Sequence, residues 1–101
     1  MLIQFSMFPV GKKESAGAEV AKIIDLIDKS GLPYRMSAMS TIIEGEWDSI
    51  MQLINKCRLR LRKNNNRIYM VLTMDDRKSA KNRLVGKISS IENKLGRKVK
   101  S

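Results

Sequence analysis

The chain has 101 residues, of which 43% are apolar and 30% charged, with two prolines, six glycines and a formal net charge of +10. That length supports one domain, here residues 1–101, and the apolar share excludes a disordered or low-complexity chain. With no histidine and only Cys57 as a thiol, an internal disulfide, a structural zinc site and a His-dependent triad are excluded.

No apolar run approaches the roughly 20 residues needed to span a bilayer, so no membrane partner is expected. The start Met1-Leu2-Ile3-Gln4-Phe5 lacks the basic region and small-residue cleavage site of a secretory signal, and a cytoplasmic location is expected from it.

From Leu2 to Phe8, Ile3, Phe5 and Met7 alternate with Leu2, Gln4, Ser6 and Phe8, the period of a strand, which Pro9 and Gly11 close. A helix follows from an N-cap at Ser15, with Val20, Ile23, Ile24 and Ile27 at helical spacing and a stop at Ser30-Gly31. Pro33 prevents its continuation, and Tyr34 to Met39 alternates as a second strand. Thr41 to Glu46 reads as a third, paired with the second through a tight turn around Met39 to Thr41, although no Asn-Gly signal marks it.

Asp48 is placed to cap a second helix whose stripe is Ile50, Leu53, Ile54, Cys57 and Leu61, broken by Asn64-Asn65-Asn66. Arg67 to Met74 is apolar on both faces and reads as a central strand. Beyond Asp75-Asp76-Arg77, Ser79 opens a last helix expected to turn Leu84, Ile88, Ile91 and Leu95 inward, before Gly96 and a basic tail. The order β-α-β-β-α-β plus a C-terminal helix predicts an α+β, ferredoxin-like domain with a four-stranded antiparallel sheet and two helices on one face. The other face would expose Tyr69 and Val71, and with them Leu2 and Phe8, unless the third helix or another subunit covers it, so an oligomer is expected.

The richest stretch chemically is Ser40 to Asp48, where hydroxyls, three carboxylates and the single tryptophan, Trp47, fall within nine residues. With Ile43 turned toward the helices, Glu44 lies on the open sheet face, where a carboxylate needs solvent or a donor. A ligand amine or cation is one donor; Arg35 across the hairpin or a neighbouring subunit is another. Asp75 and Arg77 leave a strand end, where polar side chains project beside the sheet. Adjacent acids point apart, so paired-carboxylate hydrolysis is poorly supported and binding is the better reading.

Gly11-Lys12-Lys13 lacks the Walker pattern. Cys57 and the seven methionines read as core and interface residues, and no metal or cofactor is implied. Residues 1–55 hold five basic and seven acidic side chains, and residues 56–101 hold fifteen and three. A nucleic-acid or polyanion-binding module using the run Lys56 to Lys63 is therefore the alternative function, weakened by the lack of stacking aromatics there beyond Tyr69.

Five segments, in order and spacing, make nearly the whole chain resemble the YkoF-like thiamine-binding-protein family. They are Pro9-Val10-Gly11, Ser30-Gly31-Leu32-Pro33-Tyr34, Ser40-Thr41-Ile42-Ile43-Glu44-Gly45, Asp75-Asp76-Arg77, and Leu84 with Lys87. The resemblance implies a non-enzymatic subunit that associates through its sheet faces into homodimers or homotetramers. It also implies a pocket for thiamine or its hydroxymethylpyrimidine part. Ser40, Thr41, Glu44 and Trp47 supply suitable partners for such a ligand, Asp75 and Arg77 are second candidates, and Met7 and Ser37 are wall residues.

Overall fold

In the computed structural model, which describes residues 1–11 and 16–101, the first strand takes the middle of the sheet. β1 (Leu2–Pro9) pairs antiparallel with both β3 (Thr41–Glu44) and β4 (Ile68–Asp75), and β2 (Tyr34–Met36) pairs with β3, giving the order β2-β3-β1-β4. Alternation along β1 decides the two faces: Ile3, Phe5 and Met7 are buried, while Gln4 and Phe8 are exposed.

Helices α1 (Ala16–Lys29) and α2 (Trp47–Arg62) cover the Ile3 face. Ile23 and Ile27 of α1, Ile43 of β3, and Ile50, Leu53, Ile54, Cys57 and Leu61 of α2 form one core with β1. The expected stripe of α2 is thus the buried one, and burial pushes the Cys57 thiol up to about 11, the state of an inert core residue. The Ser30-Gly31 stop also holds: Ser30 N–H and Oγ donate to the Ile27 carbonyl at 3.1 and 2.6 Å, and Gly31 takes φ +79°. Ser15, the expected cap of α1, lies outside the described residues.

Several local readings change. β4 is an edge strand, not a central one, with Tyr69, Met70, Val71 and Met74 between 41% and 50% exposed. β1 already uses both its edges, and β4 has no outer neighbour, so apolar residues on two faces here reflect incomplete cover and not full burial. β2 and β3 are shorter than predicted, and the turn spans residues 37–40. Ser37 takes the place of an Asn-Gly signal: its N–H donates to the Ser40 carbonyl at 2.8 Å, and its Oγ accepts from Ser40 N–H at 3.2 Å. Asp48 falls inside the first turn of α2, because that turn closes on the Glu46 carbonyl, which accepts from Ile50 N–H at 3.0 Å.

The last helix, α3 (Arg83–Leu95), begins four residues after Ser79, since Ser79 and Asn82 both adopt positive φ and break the helical path. It lies on the sheet face opposite α1 and α2, where Leu84 is buried and Ile88 half-buried, but Ile91 and Leu95 are 53% and 50% exposed rather than inward. Nothing within the described residues forms a second layer under its C-terminal half. The result is an elongated molecule of 47 × 28 × 21 Å with a radius of gyration of 15.1 Å, against about 13 Å for a compact domain of this length.

Candidate functional site

The hydroxyl-rich hairpin, the end of β1 and the first half of α1 enclose a cavity of about 180 Å³. Phe5, Met7, Val20, Ile23 and Ile24 supply apolar walls, and Ser37, Ser40 and Thr41 bring hydroxyls to the hairpin side. Strand parity explains the mixture. Thr41 and Ile43 point toward the helices with Phe5 opposite Thr41, so Thr41 is only 7% exposed. Ser37 and Ser40 flank the two-residue tip, and their side chains hold the turn: Ser37 Oγ donates to the Ser40 carbonyl at 3.0 Å, and the two hydroxyl oxygens lie 3.4 Å apart.

Four of the eight sequence-derived candidates, Met7, Ser37, Ser40 and Thr41, therefore meet around one cavity. The others do not join them. A strand rises roughly 3.3 Å per residue, which carries Glu44 to the far end of β3, and its parity puts it on the opposite face. There its carboxylate accepts from Arg83 N–H at 2.8 Å and Leu84 N–H at 3.1 Å, the first two amides of α3. Glu44 thus caps a helix whose own Asn82 makes no capping bond, and the donors it meets are backbone amides and not Arg35.

Asp75, at the end of β4, accepts from Arg83 Nη2 at 2.7 Å and Lys87 Nζ at 3.0 Å. These hydrogen bonds, that from Arg83 first and that from Lys87 next, hold its carboxyl at about 2, below its ordinary 3.8. Trp47 opens α2 half exposed, and Arg77 is exposed in the segment after β4.

One buried polar contact was missed in the sequence. Glu19 is 6% exposed and accepts from Lys22 Nζ at 3.1 Å and from Asn65 Nδ2 at 3.3 Å; the Asn65 amide also donates to the Leu61 carbonyl at 2.7 Å. This ties the start of α1 to the end of α2. The signal was present: Glu19 stands four residues before Ile23 and eight before Ile27, on the buried stripe itself. Among the described residues no cluster of three or more Cys, Asp or Glu is placed to hold a metal, and no helix is long and apolar enough to cross a membrane.

A ferredoxin-like sheet closed by helices on one face, with an apolar cavity edged by hydroxyls at its end, defines a small-molecule-binding α+β domain. Residues 3–92 match the family described as thiamine-binding protein, and the chain belongs to that family. A UPF0045 protein of Mycobacterium bovis, Mb1933, is 30% identical over 96 residues, covering 94% of each chain. The crystal structure of hypothetical protein MJ1052 from Methanocaldococcus jannaschii superposes with a TM-score of 0.80 at 28% identity, covering 89% of this chain and 93% of that one. A Thermotoga maritima protein, TM0486, whose proposed assignment is to thiamine biosynthesis or salvage, shares the fold with a TM-score of 0.77 at 19% identity, covering 89% and 96%.

The anchoring of α3 is testable at both of its acids. Glu44→Ala removes the acceptor for two amides, and a helix cap is worth roughly 0.5–2 kcal/mol, so hydrogen exchange at Arg83 and Leu84 should accelerate about two- to thirtyfold while the core amides of β1 hold. Asp75 has a depressed folded-state pKa, so its stabilising effect is present above about 4 and is lost as the pH falls toward 2. Acid titration should loosen α3 across that window, and Asp75→Asn should reduce the pH dependence without abolishing it, since the Glu44 carboxylate still holds the first amides of α3; an identical acid profile in the variant would refute the assignment.

Proposed function

We propose that the chain binds the hydroxymethylpyrimidine part of thiamine, without changing it chemically, in the cavity between α1 and the β2–β3 hairpin. The observation that carries this reading is the grouping of three hydroxyl residues, Ser37, Ser40 and Thr41, on the hairpin side of a largely apolar cavity, to which β1 adds Ser6, in a chain of the thiamine-binding protein family. An aminopyrimidine is flat and polar at its edge, which suits apolar walls with hydroxyl partners along one side.

Volume and charge favour the pyrimidine over the whole vitamin. A cavity near 150 Å³ takes up a benzene ring, so about 180 Å³ has room for one substituted six-membered ring but not two linked rings. The thiazolium half is a permanent cation, and no carboxylate is among the described residues lining the cavity. Burying that charge unpaired in a protein of net charge +10 is unfavourable, which leaves the thiazolium at the mouth, in water.

Self-association belongs to the same reading. Phe8 and Tyr69 pack on the open face of β1 and β4 with ring centroids 5.7 Å apart, and with Val71 they remain 40% to 50% exposed. Val85, Ile91 and Leu95 of α3 are exposed to the same degree. Contiguous apolar surface of this kind favours cover by a second copy, and the elongated shape follows if α3 completes a neighbour's layer.

Calorimetry and thermal melting test the ligand. Hydroxymethylpyrimidine at a hundred times its dissociation constant should add about 2.7 kcal/mol of stability, with thiamine binding no tighter. Ser40→Ala and Thr41→Val should each weaken binding between about twofold and tenfold, the worth of one hydrogen bond, while Glu44→Gln leaves affinity unchanged. Melting curves that saturating ligand does not move would end the proposal. For assembly, light scattering should give a dimer or tetramer for the native chain and a monomer for Val71→Asp; a monomeric native chain at high micromolar concentration would refute it.

A further inference from the structure

A second concavity, of about 420 Å³, lies at the other side of Met7, between the C-terminal end of α2 and the start of β4. Arg58 and Arg62 project into it from one face of α2, being four residues apart, and Arg67 enters from the segment that leads into β4. Its apolar lining is Met7, Ile68 and Met70. The groove was not among the sequence-derived sites, because Arg58 and Arg62 belong to a basic run that divides in the fold. Lys56, Arg60 and Lys63 occupy a different part of the α2 surface and do not line it.

None of the three guanidinium groups in the groove is neutralised by a carboxylate among the described residues. Arg58 Nε and Nη2 donate to the neutral Asn55 Oδ1 at 3.1 and 2.9 Å. Arg62 Nη1 donates to the backbone carbonyls of Asn65 and Asn66 at 3.1 and 2.5 Å, which holds the loop carrying Arg67. Three like charges around one concavity repel each other unless an anion enters, and planar guanidinium forks match the oxygens of a phosphate. The apolar lining asks for more than a bare ion. Its volume falls in the range typical of small-molecule sites, roughly 300–1,000 Å³, and no aromatic ring lines it to stack nucleobases.

We infer that this groove is a binding site for an organic phosphate, a phosphomonoester whose dianion sits among Arg58, Arg62 and Arg67 and whose apolar body rests on Met7, Ile68 and Met70. The site is separate from the hairpin cavity, although Met7 lines both, and stands whether or not a pyrimidine binds there.

Phenyl phosphate is the probe, with inorganic phosphate and benzoate as controls, followed by NMR of the Ile68 and Met70 methyls and the Arg67 Nε–H. Saturable one-to-one shifts are expected, with phenyl phosphate binding more tightly than either control. Arg67 makes no side-chain hydrogen bond or ion pair among the described residues, so Arg67→Ala should keep the native melting temperature while weakening binding roughly tenfold, the worth of one charge-assisted hydrogen bond. Arg67→Lys should recover part of that loss.

No saturable shift up to about 20 mM, or an affinity that Arg67→Ala leaves unchanged, would overturn the inference; that ceiling corresponds to binding weaker than about 2.3 kcal/mol. Benzoate binding as tightly as phenyl phosphate would overturn the phosphate assignment. Tighter binding of a short single-stranded oligonucleotide, steeply salt-dependent and shifting residues Lys56, Arg60 and Lys63 as well, would overturn it in favour of a polynucleotide surface.

Discussion

β1 is the constraint on which the rest of the structure depends, because it pairs with β3 along one edge and with the whole of β4 along the other, and its Ile3, Phe5 and Met7 are the floor of the core. Once that alternation commits one face to α1 and α2, the parity of every paired residue follows. Thr41 and Ile43 must face the helices because they pair with Phe5 and Ile3, and Glu44 must face away because it pairs with Leu2. Both concavities grow out of the same commitment. Met7, near the end of β1, lines the hairpin cavity on one side and the arginine-lined groove on the other.

The opposite face is held by polar contacts instead of a second core. Its helix is attached where Glu44 receives the first amides of α3 and where Asp75 bonds Arg83 and Lys87, and beyond Leu84 apolar contact thins quickly. An element with so few buried apolar contacts opens at lower free energy than the global unfolding of the domain. A charge-assisted cap is also directional, so Glu44 fixes where α3 starts and lets its exposed stripe run past the sheet. The acid on strand three is therefore an architectural group in this chain, and it decides how the uncovered face is presented.

Charge is sorted by position and not spread evenly over the basic half. Arg83 and Lys87 are drawn to Asp75, and Lys98 lies 3.6 Å from Glu92. Arg58, Arg62 and Arg67 are left around one groove with neutral partners or none among the described residues. A net charge of +10 thus says little about any single surface until the acids, few as they are in residues 56–101, have been assigned to their partners.

What was legible in the sequence follows from local periodicity. Alternation gave β1, helical spacing gave the buried stripe of α2, and Ser30-Gly31 gave the end of α1, since each depends on neighbours within a few residues. The ferredoxin-like order followed, and so did the hydroxyls of the hairpin as a feature worth following. The edge position of β4 was not legible, because an apolar strand reads the same whether a neighbour lies beside it or not. Nor was the role of Glu44, whose donors are amides about forty positions later, or the division of the Lys56 to Lys63 run. In sequence, Ser40 to Asp48 looks like one site; in three dimensions the rise and parity of a strand send Thr41 and Glu44 to different ends and faces. Residue types and their local periods were decided by the sequence, while convergence was decided by tertiary structure, because only pairing and packing bring distant side chains to one place.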